Sequence, residues 1–222
     1  LLYRSETEHT ALQNIGGIGN ITLLPAGCAL SDVLAFDTGP GNMLIDAAIG
    51  HLTNGAKRYD ANGELAASGR VSAALLARLM QDPYLSRRPP KTTGREHYGA
   101  AFTNGIFAAA AELKLSGADI LATVTDFTAQ TIAAAIRDFC PVRPARLIVG
   151  GGGSRNATLL RDIAAALPDV RVLRNEDLGF DGDAKEAVAF AVLANEAVFA
   201  RCNNAPSATG ARHAVVMGKI TL

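Results

Sequence analysis

Three glycine-bearing segments follow one another along the chain: Asn14-Ile15-Gly16-Gly17-Ile18-Gly19-Asn20-Ile21-Thr22, Phe36-Asp37-Thr38-Gly39-Pro40-Gly41-Asn42, and Val149-Gly150-Gly151-Gly152-Gly153-Ser154-Arg155-Asn156. Apolar, β-favouring residues precede each, so each reads as a strand that stops at a backbone able to bend sharply or to be approached closely. The first is a strand-turn-strand in which Gly16, Gly17 and Gly19 leave backbone N–H groups open to an anion such as a phosphate. The second brings a carboxylate, Asp37, to a strand end just before a helix. The third closes an apolar strand over 146–149 and opens a helix at Asn156, which aims amides and a helix N-terminus at a nucleotide. Asp37 alone reads first as a cap or turn residue, and the glycine run alone as a flexible connection. Four successive glycines cost chain entropy on folding, however, and the three segments in this order point to a nucleotide clamp around one carboxylate.

The rest of the chain supplies the scaffold. Residues 12–24 read as a β-hairpin and 33–36 as a second short strand; 41–52 carries Met43, Leu44, Ala47, Ala48 and Leu52 at helical spacing, with Gly55 as a stop. Tyr59-Asp60-Ala61-Asn62-Gly63 is a turn, and 71–80 a short helix ended by Asp82-Pro83. The stretch 87–96 is the longest irregular segment, and its Arg87, Arg88, Lys91 and Arg95 suit either a solvated loop or an anion site. Two Ala-rich helices, 100–113 and 118–139, are expected to pack on the sheet. A βαβ unit follows: strand 146–149, helix 157–166, strand 170–173. The helix over 183–201 is apolar on nearly every side and is expected between layers. Ala214-Val215-Val216-Met217 reads as a strand needing a sheet to join, and Leu1-Leu2-Tyr3 as the inside of a strand with something missing upstream.

At 222 residues, 49% of them hydrophobic, the chain can bury a substantial core. Lys plus Arg and Asp plus Glu balance at 21 each, so no net field favours nucleic acid or an anionic membrane, and a small-molecule partner is expected. Cys28, Cys140 and Cys202 form neither a disulfide framework nor a zinc motif, and His9, His51, His97 and His213 lack metal-ligand spacing. With no long apolar run, the expected location is cytoplasmic. Ser154 has no Gly-x-Ser-x-Gly elbow around it, which argues against a serine hydrolase.

The three segments, together with Tyr59-Asp60, Pro89-Pro90-Lys91-Thr92-Thr93-Gly94-Arg95-Glu96, Asp119-Ile120-Leu121-Ala122-Thr123, Lys185-Glu186-Ala187-Val188-Ala189-Phe190-Ala191 and the ending Gly218-Lys219-Ile220, resemble the sugar kinase, Hsp70 and actin superfamily. Within it they resemble the anhydro-N-acetylmuramic acid kinases along nearly the whole chain. The resemblance implies an α/β fold, the ribonuclease H-like second lobe of that superfamily, with a mixed sheet flanked by helices. It implies an ATP- and Mg²⁺-dependent enzyme of peptidoglycan recycling. Such an enzyme opens the 1,6-anhydro bridge of its sugar with water while phosphorylating O6, giving N-acetylmuramic acid 6-phosphate and ADP. Asp37 takes the place of the family's general base. Thr38, Gly39 and Glu186 would lie by the sugar. Asn14, Gly16, Gly17 and Gly19 would meet the β- and γ-phosphates, and Gly150, Gly151, Gly152, Gly153 and Asn156 the adenosine.

Family members are longer and begin with a first phosphate loop of the type Gly-Thr-Ser-x-Asp-Gly, which this sequence does not contain. The resemblance therefore implies a second lobe over 1–204 and a tail, 205–222, that returns to a first lobe. It also implies a homodimer in the full-length form and little activity for this polypeptide alone. Two alternatives stay open: a catalytically silent nucleotide-binding module, and a superfamily kinase for another sugar.

Overall fold

A computed structural model describes residues 2–182 and 184–221. Strand β1 (Thr10–Ile15) turns at Gly16-Gly17 into β2 (Ile18–Leu24), which pairs antiparallel with β3 (Leu34–Pro40). On the other side of β1, β4 (Arg146–Gly150) and then β5 (Arg171–Arg174) run parallel, giving the order β3-β2-β1-β4-β5. An antiparallel meander continued by two parallel strands is a mixed sheet, as expected. The parallel β1–β4 pair needs a long crossover, and the intervening helices supply it.

Those helices are α1 (Met43–Leu52), α2 (Glu64–Ser68), α3 (Ala73–Leu79), α4 (Arg95–Tyr98), α5 (Ala100–Glu112) and α6 (Gly117–Phe139); α7 (Ala157–Ala166) links β4 to β5, and α8 (Lys185–Val198) and α9 (Pro206–Thr209) complete the chain. Ser116 starts α6 with a capping box: its Oγ accepts from Asp119 N at 3.2 Å, and Asp119 Oδ2 accepts from Ser116 N at 3.4 Å. Such a cap contributes about 1 kcal/mol. Ile120, Leu121, Val124, Phe127, Ile132 and Ile136 of α6 are buried against the sheet and its flanking helices, each worth roughly 1.5–3 kcal/mol over exposure. Of its buried threonines, Thr123 and Thr131 donate to carbonyls of the preceding turn and Thr125 Oγ1 has no partner among the described residues, whereas Thr128 Oγ1 donates to Gly41 O at 3.0 Å, fastening the second glycine segment to the core.

Strand alternation gives the sheet two unlike faces. Ala11, Gln13, Ile15, Ile21, Leu23 and Phe36 point into the helix-covered core and are buried. Leu12, Asn14, Asn20, Thr22 and Asp37 take the opposite face and are half-buried.

Several expectations change. Asp37 stands inside β3 rather than at a strand end, because the strand continues to Pro40 before α1 begins at Met43. Helix α5 packs chiefly on α1, α3 and α4, as a second layer outside the sheet. No residue of α8 is buried, and Phe190 and Val198 are 71% and 65% exposed. Apolar composition calls for cover, but the contacts among the described residues bury no side chain of this helix; the expected first residue, Asp183, lies outside the described residues. Residues 214–217 form no strand. Asn203 and Asn204 hold that segment instead, through Asn204 Oδ1 to Val215 N at 2.8 Å and Asn203 Oδ1 to Met217 N. Leu2 and Tyr3 lie outside any strand, and Leu1 is outside the described residues.

Candidate active site

The three glycine segments converge. Carbonyls of Gly16 and Gly17 at the hairpin turn accept from the N–H groups of Gly41 (2.9 Å), Asn42 (2.7 Å) and Met43 (3.0 Å). The hairpin thereby satisfies the orphan donors at the start of α1. From the other side, Gly151 (φ +79°) and Gly153 come so close to Ile15 that a Cβ on either would strike it. Asn42 Nδ2 closes the junction on Ile15 O at 3.2 Å.

Thr38 faces inward by strand alternation and is skipped in the pairing at the bulge between Gly19 and Asn20; its Oγ1 donates to Gly19 O at 3.1 Å. Beyond it Asp37 pairs with Asn20, Asn20 with Asn14, and Asn14 with Gly150. Asp37, Asn20, Asn14 and Gly150 thus form one row across four strands on the half-open face. A carboxylate stands at one end and the glycine run at the other. Neighbours in such a row have Cβ atoms about 4.5–5.5 Å apart, near enough for one ligand to touch several.

Each end opens on a cavity. Asn20, Asp37, Thr92 and Thr209 line one of about 390 Å³. Asn14, Gly151, Gly152, Lys185 and Glu186 line another of about 200 Å³, and Gly152 also faces a space of about 370 Å³ with Asp46, Asn62, Arg155 and Asn156. Asp37 is gripped by the loop that precedes α4. Its Oδ2 accepts from Thr92 Oγ1 at 2.7 Å and Thr93 N at 3.0 Å, its N–H donates to Lys91 O at 3.1 Å, and its carbonyl accepts from Tyr84 Oη at 2.8 Å.

The expected site residues separate into two kinds. Gly16, Gly17 and Gly152 have room beside them: the nearest side-chain or backbone atom to a built Cβ lies at 3.8, 3.4 and 3.6 Å. Gly19, Gly151 and Gly153 are required by the packing itself, Gly19 because a Cβ would meet Thr38 Oγ1 at 2.7 Å, and Gly39 is favoured by its φ of +149°. Thr38 is buried, and Asn156 caps α7, its Oδ1 accepting from Leu159 N at 3.0 Å. Glu186 lines the cavity of the glycine run rather than the one that holds Asp37.

Sequence reasoning gave no role to Lys185, Asn20 or Thr92. Lys185 Nζ donates to Asn14 Oδ1 at 2.8 Å and borders two of the cavities beside Gly150 and Gly151. A lysine in the first turn of a helix opposes the macrodipole, which signals that something else holds it there. Of the basic cluster, Lys91 is neither solvated nor free: it is buried, its Nζ 4.4 Å and 4.8 Å from the Phe139 and Tyr84 ring centroids, and donates to Leu85 O at 3.1 Å. Burial, and next the Arg87 charge, push its pKa below the usual lysine value. Burial also raises the Asp46 carboxyl to about 6. Among the described residues no three His, Cys, Asp or Glu side chains gather as a metal site, and no helix is long and apolar enough to cross a membrane.

The Anhydro-N-acetylmuramic acid kinase family matches residues 1–222. Curated relatives of that name include one from Caldanaerobacter subterraneus subsp. tengcongensis, 49% identical over 100% of this chain and 57% of its own length. Another, from Francisella tularensis subsp. novicida, is 46% identical over 99% of this chain and 57% of its own. The protein of that name from Clostridioides difficile is 44% identical over 100% and 57%. The chain thus spans somewhat over half the length of the relatives it matches. A family match over residues 1–222 and relatives 44–49% identical over essentially the whole chain settle the family: the chain belongs to the anhydro-N-acetylmuramic acid kinases.

Proposed function

We propose that this chain forms the half of an ATP-dependent anhydro-N-acetylmuramic acid kinase that carries the general base and the nucleotide loops. The row Asp37–Asn20–Asn14–Gly150 carries the reading, because it sets one carboxylate in line with two bare-backbone loops on a single face. The sugar's anomeric carbon lies at the Asp37 end. Asp37 takes a proton from the water that attacks this carbon, and the bond from the anomeric carbon to O6 breaks. The released O6 attacks the γ-phosphorus in line, and ADP leaves. The products are N-acetylmuramic acid 6-phosphate and ADP, with one proton passed to solvent.

Gly16, Gly17 and Asn14 approach the β- and γ-phosphates, with Lys185 beside them, and the open Gly152 lies along the nucleoside with Asn156 at the α7 cap. Thr38 and Gly39 shape the floor under the sugar from within the bulge, and Glu186 faces the nucleotide end. Mg²⁺, when bound, offsets the charge that develops on the transferred phosphoryl group. The residues fit an ion held mainly by phosphate oxygens and water, since the row offers a single carboxylate. Residues 1–204 act as the second lobe and 205–222 as a tail that docks on a first lobe, consistent with the exposure of Val215, Val216 and Ile220. The enzyme is cytoplasmic and a dimer at full length, and serves peptidoglycan recycling.

Mass-spectrometric detection of the 6-phosphate product from the anhydro sugar, ATP and Mg²⁺ tests this, comparing this chain with one extended upstream. Product from the extended chain alone supports both the activity and the two-lobe reading. Product from neither removes the proposal and favours a silent nucleotide-binding module.

A further inference from the structure

Asp37 makes four hydrogen bonds with one segment, residues 84–93, accepting three and donating one, and that segment has no regular structure of its own around Lys91, Thr92 and Thr93. Two hold the backbone and two fill a single carboxylate oxygen. The segment is itself anchored, because the Lys91 ammonium is buried among Phe36, Tyr84 and Phe139 and donates to the Leu85 carbonyl. A loop pinned this way holds its donors in place instead of following the carboxylate.

An ionised carboxylate has two equivalent oxygens, and either could take a proton. Here they are not equivalent. Oδ2 is occupied by Thr92 Oγ1 and Thr93 N, whereas Oδ1 accepts no hydrogen bond from the described residues. Two donors on one oxygen also stop rotation of the carboxylate. Thr92 and Asp37 line the same cavity of about 390 Å³, the space a ligand would enter beside this carboxylate.

We propose that Thr92 is a positioning residue that makes Oδ1 the proton-accepting oxygen of Asp37 by occupying Oδ2; this rests on the reading of Asp37 as general base. Thr92 touches no reacting atom. It acts by fixing the direction from which the base meets its water, and misalignment of that order lowers turnover without loosening either substrate.

The test uses the upstream-extended chain, with Thr92→Val, Thr92→Ala, Thr92→Ser and Asp37→Asn assayed for product. Thr92→Val is expected to lower kcat roughly 10- to 100-fold while KM for sugar and ATP stays within about twofold. Thr92→Ser, which restores the hydroxyl, should recover most of kcat, and Thr92→Ala should follow Thr92→Val should that variant fold poorly. All should melt near the parent temperature. Unchanged kcat in both Thr92→Val and Thr92→Ala, with Asp37→Asn inactive, overturns the positioning role and leaves the base assignment standing. Loss in Thr92→Ser equal to that in Thr92→Val overturns it too, as would a rise in KM that accounts for the whole effect. Full activity in Asp37→Asn sinks the base assignment, and the inference with it.

Discussion

Asn20 stands directly opposite Asp37 across the β2–β3 ladder, next to the bulge at which the buried Thr38 has no ladder partner. Strand alternation puts Asp37 on the half-open face and Thr38 in the core, and the bulge leaves Thr38 without a ladder partner, so that its hydroxyl is free to bond Gly19 O. Replacing Asn20 with Asp would put two carboxylates opposite each other, a pairing that destabilises by roughly 0.2–1 kcal/mol. Asn20→Asp is expected to melt slightly below the parent in low salt, and the gap should narrow at high ionic strength, which screens like charges. A gap that does not move with salt would show that the change acts through packing.

Gly41 and Gly152 make opposite predictions. A Cβ at Gly41 would run into Gly16 O and come within 2.9 Å of Ile18 C and 3.1 Å of Gly19 N, all backbone atoms of the hairpin. Gly41→Ala must push the hairpin off the start of α1, and should cost about 1–3 kcal/mol, read by chemical denaturation. At Gly152 the nearest atom is Asn42 Nδ2 at 3.6 Å, so Gly152→Ala should leave stability almost unchanged. Any loss of ATP affinity in that variant, measured by calorimetry, then reports on the ligand and not on the fold.

Much of this was legible in the sequence because it rests on local rules. The strand over 146–149, the Asn156 cap and the helix after it follow from an apolar run, glycines and a capping residue, and the structure places them within a residue or so. The place of Asp37 inside β3 was not legible, since a bulge is decided by how Gly19 and Thr38 fit across two strands. The exposure of α8 escaped for a different reason: its composition states a need for cover, and composition does not say which element supplies it. Lys185 and Thr92 went unassigned because their partners, Asn14 and Asp37, lie 171 and 55 residues away in sequence. The unfavourable place of Lys185 at a helix start was the one signal available beforehand.

Asp46 gives a pH-dependent signature. Its carboxyl is half-buried in α1 and raised to about 6 by burial, above its ordinary 3.8. Below pH 4 it is protonated in folded and unfolded chains alike and costs nothing. As pH rises from about 4 to about 6 the unfolded chain ionises first, so the folded state loses stability, and above that the penalty is constant. Asp46→Asn removes the ionisable group. It should stabilise the protein at pH 7–8 by about 1 kcal/mol, allowing for solvent screening, and the gain should vanish near pH 4. A melting-temperature series of both proteins from pH 4 to pH 8 reads this directly; an equal offset at every pH would mean that the carboxyl is not the cause.

Lys185 offers a test of the nucleotide end of the row. Its ammonium donates to Asn14 Oδ1 at 2.8 Å and lies next to the glycine run, where a polyphosphate would need a counter-charge. A charge-assisted hydrogen bond contributes about 1.5–3 kcal/mol, which corresponds to roughly 10- to 100-fold in affinity. Lys185→Met keeps most of the stem and removes the charge. Its affinity for ATP and ADP should fall by about that factor, while affinity for adenosine, which has no phosphate to meet, should hold. Isothermal titration with the three ligands decides between a phosphate contact and a packing role: equal losses for all three would mean that Lys185 serves only to hold Asn14 in place.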